Sequence, residues 1–215
     1  MREEGFCVVT EPAPLHVAGV DHERLTDQLR FVLEVDKLKR ILRRNTLVDG
    51  SRRENDAEHS WHVALAARVF AEYAPKGTDI DRVVEMLLLH DIVEIDAGDT
   101  FVYDTELAQT QFKRESEAAD RLYALLPKDQ AEHARGLWEE FEARTTPEAR
   151  FAKAIDRLAP MLANWHNEGG TWVTHRVSAA QVREKVAMVA EGSATLGAYA
   201  TALINDAVGR GYLAP

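Results

Sequence analysis

The sequence predicts an all-α protein, and three observations carry that prediction. Apolar residues recur three and four apart through most of the chain, the period of a helix packed on one side. Helix-start signals divide the pattern: Thr78 with Asp81, Thr146 before Pro147, and Ser178 with Gln181. No stretch alternates apolar and polar residues as a half-buried strand would.

Residues 1–20 read as a short Pro-containing extension with one extended piece at Cys7-Val8-Val9. From Asp21, Leu25, Leu29, Val32, Val35, Leu38 and Leu42 form one stripe, which predicts a long first helix of roughly six turns with Arg43 at its end. The segment 45–50 stops it, and RRENDAE is a polar connection. A second helix starts near Asp56, with Trp61, Leu65 and Val69 on its apolar face and Ala66 and Phe70 beside them, and Pro75 and Gly77 end it. The third, VVEMLLLHDIVE, is apolar on most sides and therefore central. EIDAGDTFVYD reads as a turn and loop, tight at Gly98. Helices follow over 106–126 and 129–143, then one holding FAKAIDRLAPMLANW, which Pro160 bends or ends halfway. HNEGGTWVTHR reads as a loop, 179–208 as the final helices and 209–215 as a tail. With 46% hydrophobic residues in 215 and no Pro/Gly/Ser-rich linker, 21–208 is one domain.

Charge narrows the function. The chain has 26 basic and 36 acidic residues, a net charge of -10, which argues against a nucleic-acid polymer as partner. Small anions remain possible substrates wherever a metal or an arginine reverses the local field. Cys7, the only cysteine, allows no intrachain disulfide and no cysteine-based zinc site. No apolar run is long enough for a membrane span. MREEGFCVV lacks the apolar core of a signal peptide, so the expected location is cytoplasmic.

The informative residues are charges inside helices that otherwise belong to a core. His59, His90, Asp91 and Asp156 all stand in such contexts, where an isolated charge is costly. Two imidazoles and two carboxylates suit one divalent transition ion, whose charge the carboxylates balance. Coordination positions left open would make the site catalytic, with a metal-activated water as nucleophile. Glu94 follows His90 by one helical turn and can handle a proton there. Arg43 can fork two donors onto a phosphate.

The order His59, His90-Asp91, Asp156 resembles the metal signature of the HD-domain phosphohydrolases. Residues 53–60, RENDAEHS, are similar to the RxENxxEHS segment of the bacterial 5'-deoxynucleotidases and their eukaryotic relatives. HDIVE from His90 to Glu94, the Ala-Gly-Asp ending at Asp99, and KRILR ending at Arg43 resemble the same group. Where the bacterial enzymes carry a tryptophan after the arginine, this chain has Arg44. The resemblance covers residues 25–195 and implies an HD-type helical bundle with a divalent metal site between core and cleft. It implies that His59, His90, Asp91 and Asp156 hold the metal, that Glu94 works beside the water, that Arg43 contacts the phosphate, and that Asp99 lies near the sugar 3'-hydroxyl. The implied reaction is removal of the 5'-phosphate from deoxynucleoside monophosphates, with cobalt or manganese favoured and iron, nickel or zinc tolerated. The alternatives are hydrolysis of another nucleotide (triphosphate, cyclic or signalling) and a non-catalytic domain that binds metal or a partner. A homodimer is implied too, and the apolar Val182, Val186, Val189, Leu196 and Leu203 exceed what one side of a small bundle needs.

Other polar and aromatic residues read as structural. His62 packs against a neighbouring helix rather than joining the ligands. Trp61, Trp138, Trp165 and Trp172 are core or interface anchors, and Glu139, Glu140 and Glu142 form an exposed helix face.

Overall fold

A computed structural model describes residues 22–103 and 105–215. The 1–20 extension, with its expected extended piece, lies outside the described residues. Helix α1, Glu23–Val35, is shorter than its sequence stripe. A 3-10 turn, Asp36–Arg40, follows, and the chain then extends as β1, Leu42–Thr46, antiparallel to β2, Arg53–Asn55. Only Leu38 of the stripe is buried, and Leu25, Leu29, Val32 and Leu42 are exposed. The predicted long helix therefore fails beyond Val35: Leu38 anchors in the core, and the backbone after it is satisfied by the hairpin.

Asn55 caps α2, Asp56–Val69, in a reciprocal capping box with Glu58. The expected apolar face of α2 points outward. Trp61, Leu65 and Val69 are exposed, while His59, Ser60, Val63, Ala64 and Ala67 are buried. Small alanines on the inner face let neighbouring helices approach closely, and that face also carries the charges the site needs. Helix α3, Ile80–Leu89, is capped by Asp79, which accepts from the backbone N–H groups of Asp81 and Arg82. Thr78 is not the cap, since its hydroxyl donates to the Pro75 carbonyl. After four intervening residues comes the single turn α4, Glu94–Ala97, ended by Gly98 at φ 75°, a left-handed conformation that glycine adopts without strain.

Helices α5, Thr105–Tyr123, and α6, Lys128–Ala143, lie where the sequence predicts them. Thr146 caps α7, Pro147–His166, with Pro147 at the first position, and the helix runs unbroken through Pro160. The expected loop after it contains a short helix, α8, Gly170–Thr174. Ser178 and Gln181 form the predicted box that opens α9, Ala179–Gly192, and α10, Ala194–Arg210, completes the bundle. A Cβ at Gly192 would collide with the Arg150 carbonyl, so glycine sets the close crossing of α9 on α7. Residues after α10 are docked: Leu213 is buried and Ala179 N–H donates to the Ala214 carbonyl at 2.7 Å.

Two apolar cores result. The larger joins α2, α3, α7, α9 and α10 and contains Val63, Met86, Phe151, Ile155 and Ile204. The smaller contains Leu38, Ile92, Val93, Leu122, Tyr123 and Trp138. Leu89 packs on both, so His90 and Asp91 emerge at their seam. Val182, Val186, Val189, Leu196 and Leu203 are all absorbed by the larger core, which removes the argument that assigned them to a subunit interface. Among the described residues no helix is long and apolar enough to cross a membrane.

Candidate metal centre

Four side chains meet at the seam: His59 from α2, His90 and Asp91 from the turn just after α3, and Asp156 from mid-α7. All four are buried. His59 Nε2 lies 3.2 Å and His90 Nε2 3.7 Å from Asp156 Oδ1, and His90 Nε2 lies 3.0 Å from Asp91 Oδ1. Ligands about 2.1 Å from a shared ion stand about 3.0–3.4 Å apart at octahedral to tetrahedral angles. Two of the three separations fall in that range, and His59, His90 and Asp91 offer ligand atoms within 4.8 Å of one another.

The second nitrogens also fit. His90 Nδ1 donates to the Leu87 carbonyl at 2.8 Å, and His59 Nδ1 lies 3.3 Å from Glu54. Such partners fix the tautomer that turns Nε2 toward a metal. His90 Nε2 is buried without a hydrogen-bond partner, an orphan that an ion would satisfy. Burial opposes a charge on His90, yet Asp91 and Asp156 push its pKa up to about 10. Burial likewise works against the Asp156 carboxylate, but Arg157, His59 and His90 hold it well below the usual range.

Beside this set lies a second carboxylate group: Asp56, Glu94 and Asp99 each offer an oxygen within 4.8 Å of the others. Arg43 joins the two groups. Its Nη1 donates to Asp91 Oδ2 at 2.8 Å and to Asp56 Oδ1 at 3.3 Å, and Nε is 3.7 Å from Glu54. Arg43 is thus a buried strand residue in an ion network and not the end of a helix. Glu94 opens α4, so the chain turn after His90 sets it against Asp56 rather than stacking it along one helix. Burial, then the charges of Asp91 and Asp56, raise the Glu94 pKa well above the carboxylate range. Burial and Asp91 push Asp56 up to about 6.

Both groups open into one cleft of about 340 Å³, a size suited to a small ligand. The cleft wall includes Arg43, Arg44, Asp99, Phe101, Tyr103 and Trp172. His62 is exposed, its ring stacked on Trp61, and it joins neither candidate ligand group. Glu142 is not on a solvated face: it lines the cleft and binds Lys153 at 3.1 Å, while Glu140 pairs with Arg82. Sequence reasoning passed over Glu54 and Asp56 as part of a polar connection, although both fall inside the RENDAEHS segment. It also missed Lys153, Arg157 and Lys185 as cleft residues, because they come together only through tertiary packing.

The family profile of the HD domain matches residues 35–196. The human 5'-deoxynucleotidase HDDC2 is 31% identical over 135 residues, which is 62% of this chain and 65% of that protein, so the match spans just under two thirds of this relative. The cattle protein of the same name is 31% identical over 147 residues, 68% of this chain and 70% of its own. A solved structure from Magnetospirillum magnetotacticum MS-1, described as a predicted metal-dependent phosphohydrolase, is 56% identical, with a TM-score of 0.86. It covers 90% of this chain and 100% of its own.

Proposed function

The chain belongs to the HD-domain family, and from that premise we propose that it is a metal-dependent phosphohydrolase that releases phosphate from deoxynucleoside 5'-monophosphates. The observation that carries the proposal is the convergence of His59, His90, Asp91 and Asp156 beside an open cleft, with Glu94 next to them. The naming of the human and cattle relatives as 5'-deoxynucleotidases supports the substrate class. The single cysteine and acidic composition accord with a cytoplasmic enzyme that works on small nucleotides.

His59, His90, Asp91 and Asp156 would hold the ion. When bound, a divalent metal supplies a Lewis acid and lowers the pKa of water toward neutrality. The side chains do the rest. Glu54 and the Leu87 carbonyl orient the two imidazoles. Arg43 holds Asp91 in place and faces the cleft, where it meets a phosphoryl oxygen. Glu94 delivers its proton to the departing ester oxygen and can accept one from the attacking water. Asp99, at the mouth, accepts from the sugar 3'-hydroxyl and packs against the position a 2'-hydroxyl would occupy.

The test is a phosphate-release screen. Metal-stripped protein is offered paired deoxyribo- and ribonucleotides with cobalt, manganese, iron, nickel or zinc added back. Release of phosphate from deoxynucleoside monophosphates is expected. Pyrophosphate or tripolyphosphate from a triphosphate, with no reaction on any monophosphate, overturns the monoesterase assignment.

A further inference from the structure

The cleft wall beyond the metal centre carries three cations from three elements: Arg144 at the end of α6, Arg157 on α7 and Lys185 on α9. The other cleft cations are accounted for. Arg43 is bound by Asp91 and Asp56. Lys153 binds Glu142 and lies over the Phe141 ring at 4.0 Å. Arg44 is exposed and solvated. Among the described residues, Arg144 and Lys185 make no ion pair and no side-chain hydrogen bond, and Arg157 has only a 3.7 Å approach of Nε to Asp156 Oδ2. Arg157 Nε is buried with no acceptor at all.

Two further facts set these cations apart. Arg144 sits at φ 53°, ψ 31°, left-handed backbone where glycine or asparagine is favoured and where another residue carries roughly 1–2 kcal/mol of strain. Lys185 has its pKa lowered, first by burial and then by the positive charges of Arg157 and Arg144. The chain carries an excess of acids, yet the one acid that approaches this trio is Asp156, 3.7 Å from Arg157 Nε, among the described residues. Like charges gathered in a half-buried wall destabilise the empty protein. An anion that enters the cleft removes that penalty.

We propose that Arg144, Arg157 and Lys185 form a phosphate-binding wall that grips the phosphoryl oxygens turned away from the metal centre. The identity of the anion as a substrate phosphate rests on the phosphohydrolase proposal. The site itself does not. Arg157, one residue past Asp156, is the inner contact, with the fork geometry that matches a phosphoryl group. Lys185 and Arg144 complete the charge balance further out.

The experiment titrates inorganic phosphate into the protein as purified, by calorimetry, in wild type, Arg157→Met, Lys185→Met and the surface control Arg183→Met. Wild type and the control are expected to bind alike. Arg157→Met should weaken binding about ten- to a hundredfold, as expected for loss of a charge-assisted hydrogen bond, and Lys185→Met at least about threefold. Melting without phosphate is the second measurement. Lys185→Met removes a repelling charge and should melt at or above wild type, whereas a structural lysine would lower the melting temperature on removal. Wild type that binds no phosphate, or binding unchanged in both variants, overturns the wall. Hydrolysis separates the two proposals. If no nucleotide is hydrolysed but the variants lose phosphate binding, the wall stands and the enzymatic assignment falls. If deoxynucleotides are hydrolysed with KM and phosphate affinity untouched in both variants, the reverse holds.

Discussion

Arg43→Met tests the ion network most directly. Methionine keeps much of the side-chain volume and removes only the charge and the donors. In the native protein the guanidinium is nine-tenths buried and holds Asp91 at 2.8 Å and Asp56 at 3.3 Å, with Glu94 and Asp99 nearby. Removing one partner of a buried pair leaves the other charge uncompensated and costs about 3–5 kcal/mol. In a chain of this size each kcal/mol moves the melting temperature by about 2–4 °C, so a loss of about 6–20 °C is expected. The same network orients Asp91, so metal affinity should fall with stability. Calorimetric melting and elemental analysis of the purified variant measure both, and Arg43→Lys, which keeps the charge without the fork, should recover part of the loss. A variant with full metal content that melts within about 2 °C of wild type would refute the network and return Arg43 to a simple cleft cation.

Four further outcomes follow from the site. Glu94→Gln should retain the metal and lose kcat by a factor on the order of 10²–10⁴ in a phosphate-release assay, because a proton donor is lost while the ligands stay; unchanged kcat removes Glu94 from the chemistry. Chelation should lower the melting temperature by about 5–11 °C against protein held at a hundredfold excess of metal over its dissociation constant, and matching melts with metal loss verified would contradict the ligand set. Asp99→Ala should narrow the preference for deoxyribo- over ribonucleotides more than it changes metal content, read from kcat/KM on paired substrates. The family resemblance implies a homodimer, and light scattering at 24.1 kDa across micromolar concentrations would exclude it.

What the sequence disclosed and what it hid divide along physical lines. His59, His90, Asp91 and Asp156 stood out because a charge in an apolar helix needs compensation, and that requirement holds whatever the tertiary arrangement. Thr146-Pro147 and Ser178 with Gln181 were equally legible, since capping is local chemistry. The hairpin was not. Leu42 continues the helical stripe in phase, and only the pairing of β1 with β2 shows that the chain has left the helix. The orientation of α2 was hidden because both of its faces carry apolar residues, and the choice depends on which one its neighbours can approach. The cation wall was beyond reach for the same reason: Arg144, Arg157 and Lys185 share no spacing and meet only through the packing of α6, α7 and α9.

The net charge of -10 therefore describes the surface and says little about the cleft. The cleft lining holds both an acidic cluster and a group of cations. Asp56, Asp91, Glu94 and Asp99 surround one buried cation, Arg43, and the lining also carries Arg144, Arg157 and Lys185, of which Arg157 alone approaches an acid, Asp156 at 3.7 Å. A divalent ion brings the acidic cluster closer to balance, and it leaves the cations of the lining open. A phosphate dianion then answers the remaining excess. Each ligand removes a different unfavourable field from the same cavity, so each is expected to bind more tightly once the other is in place, by the same factor in either order. Phosphate affinity measured with and without metal reads that factor, and equal affinities would show that the two walls act independently.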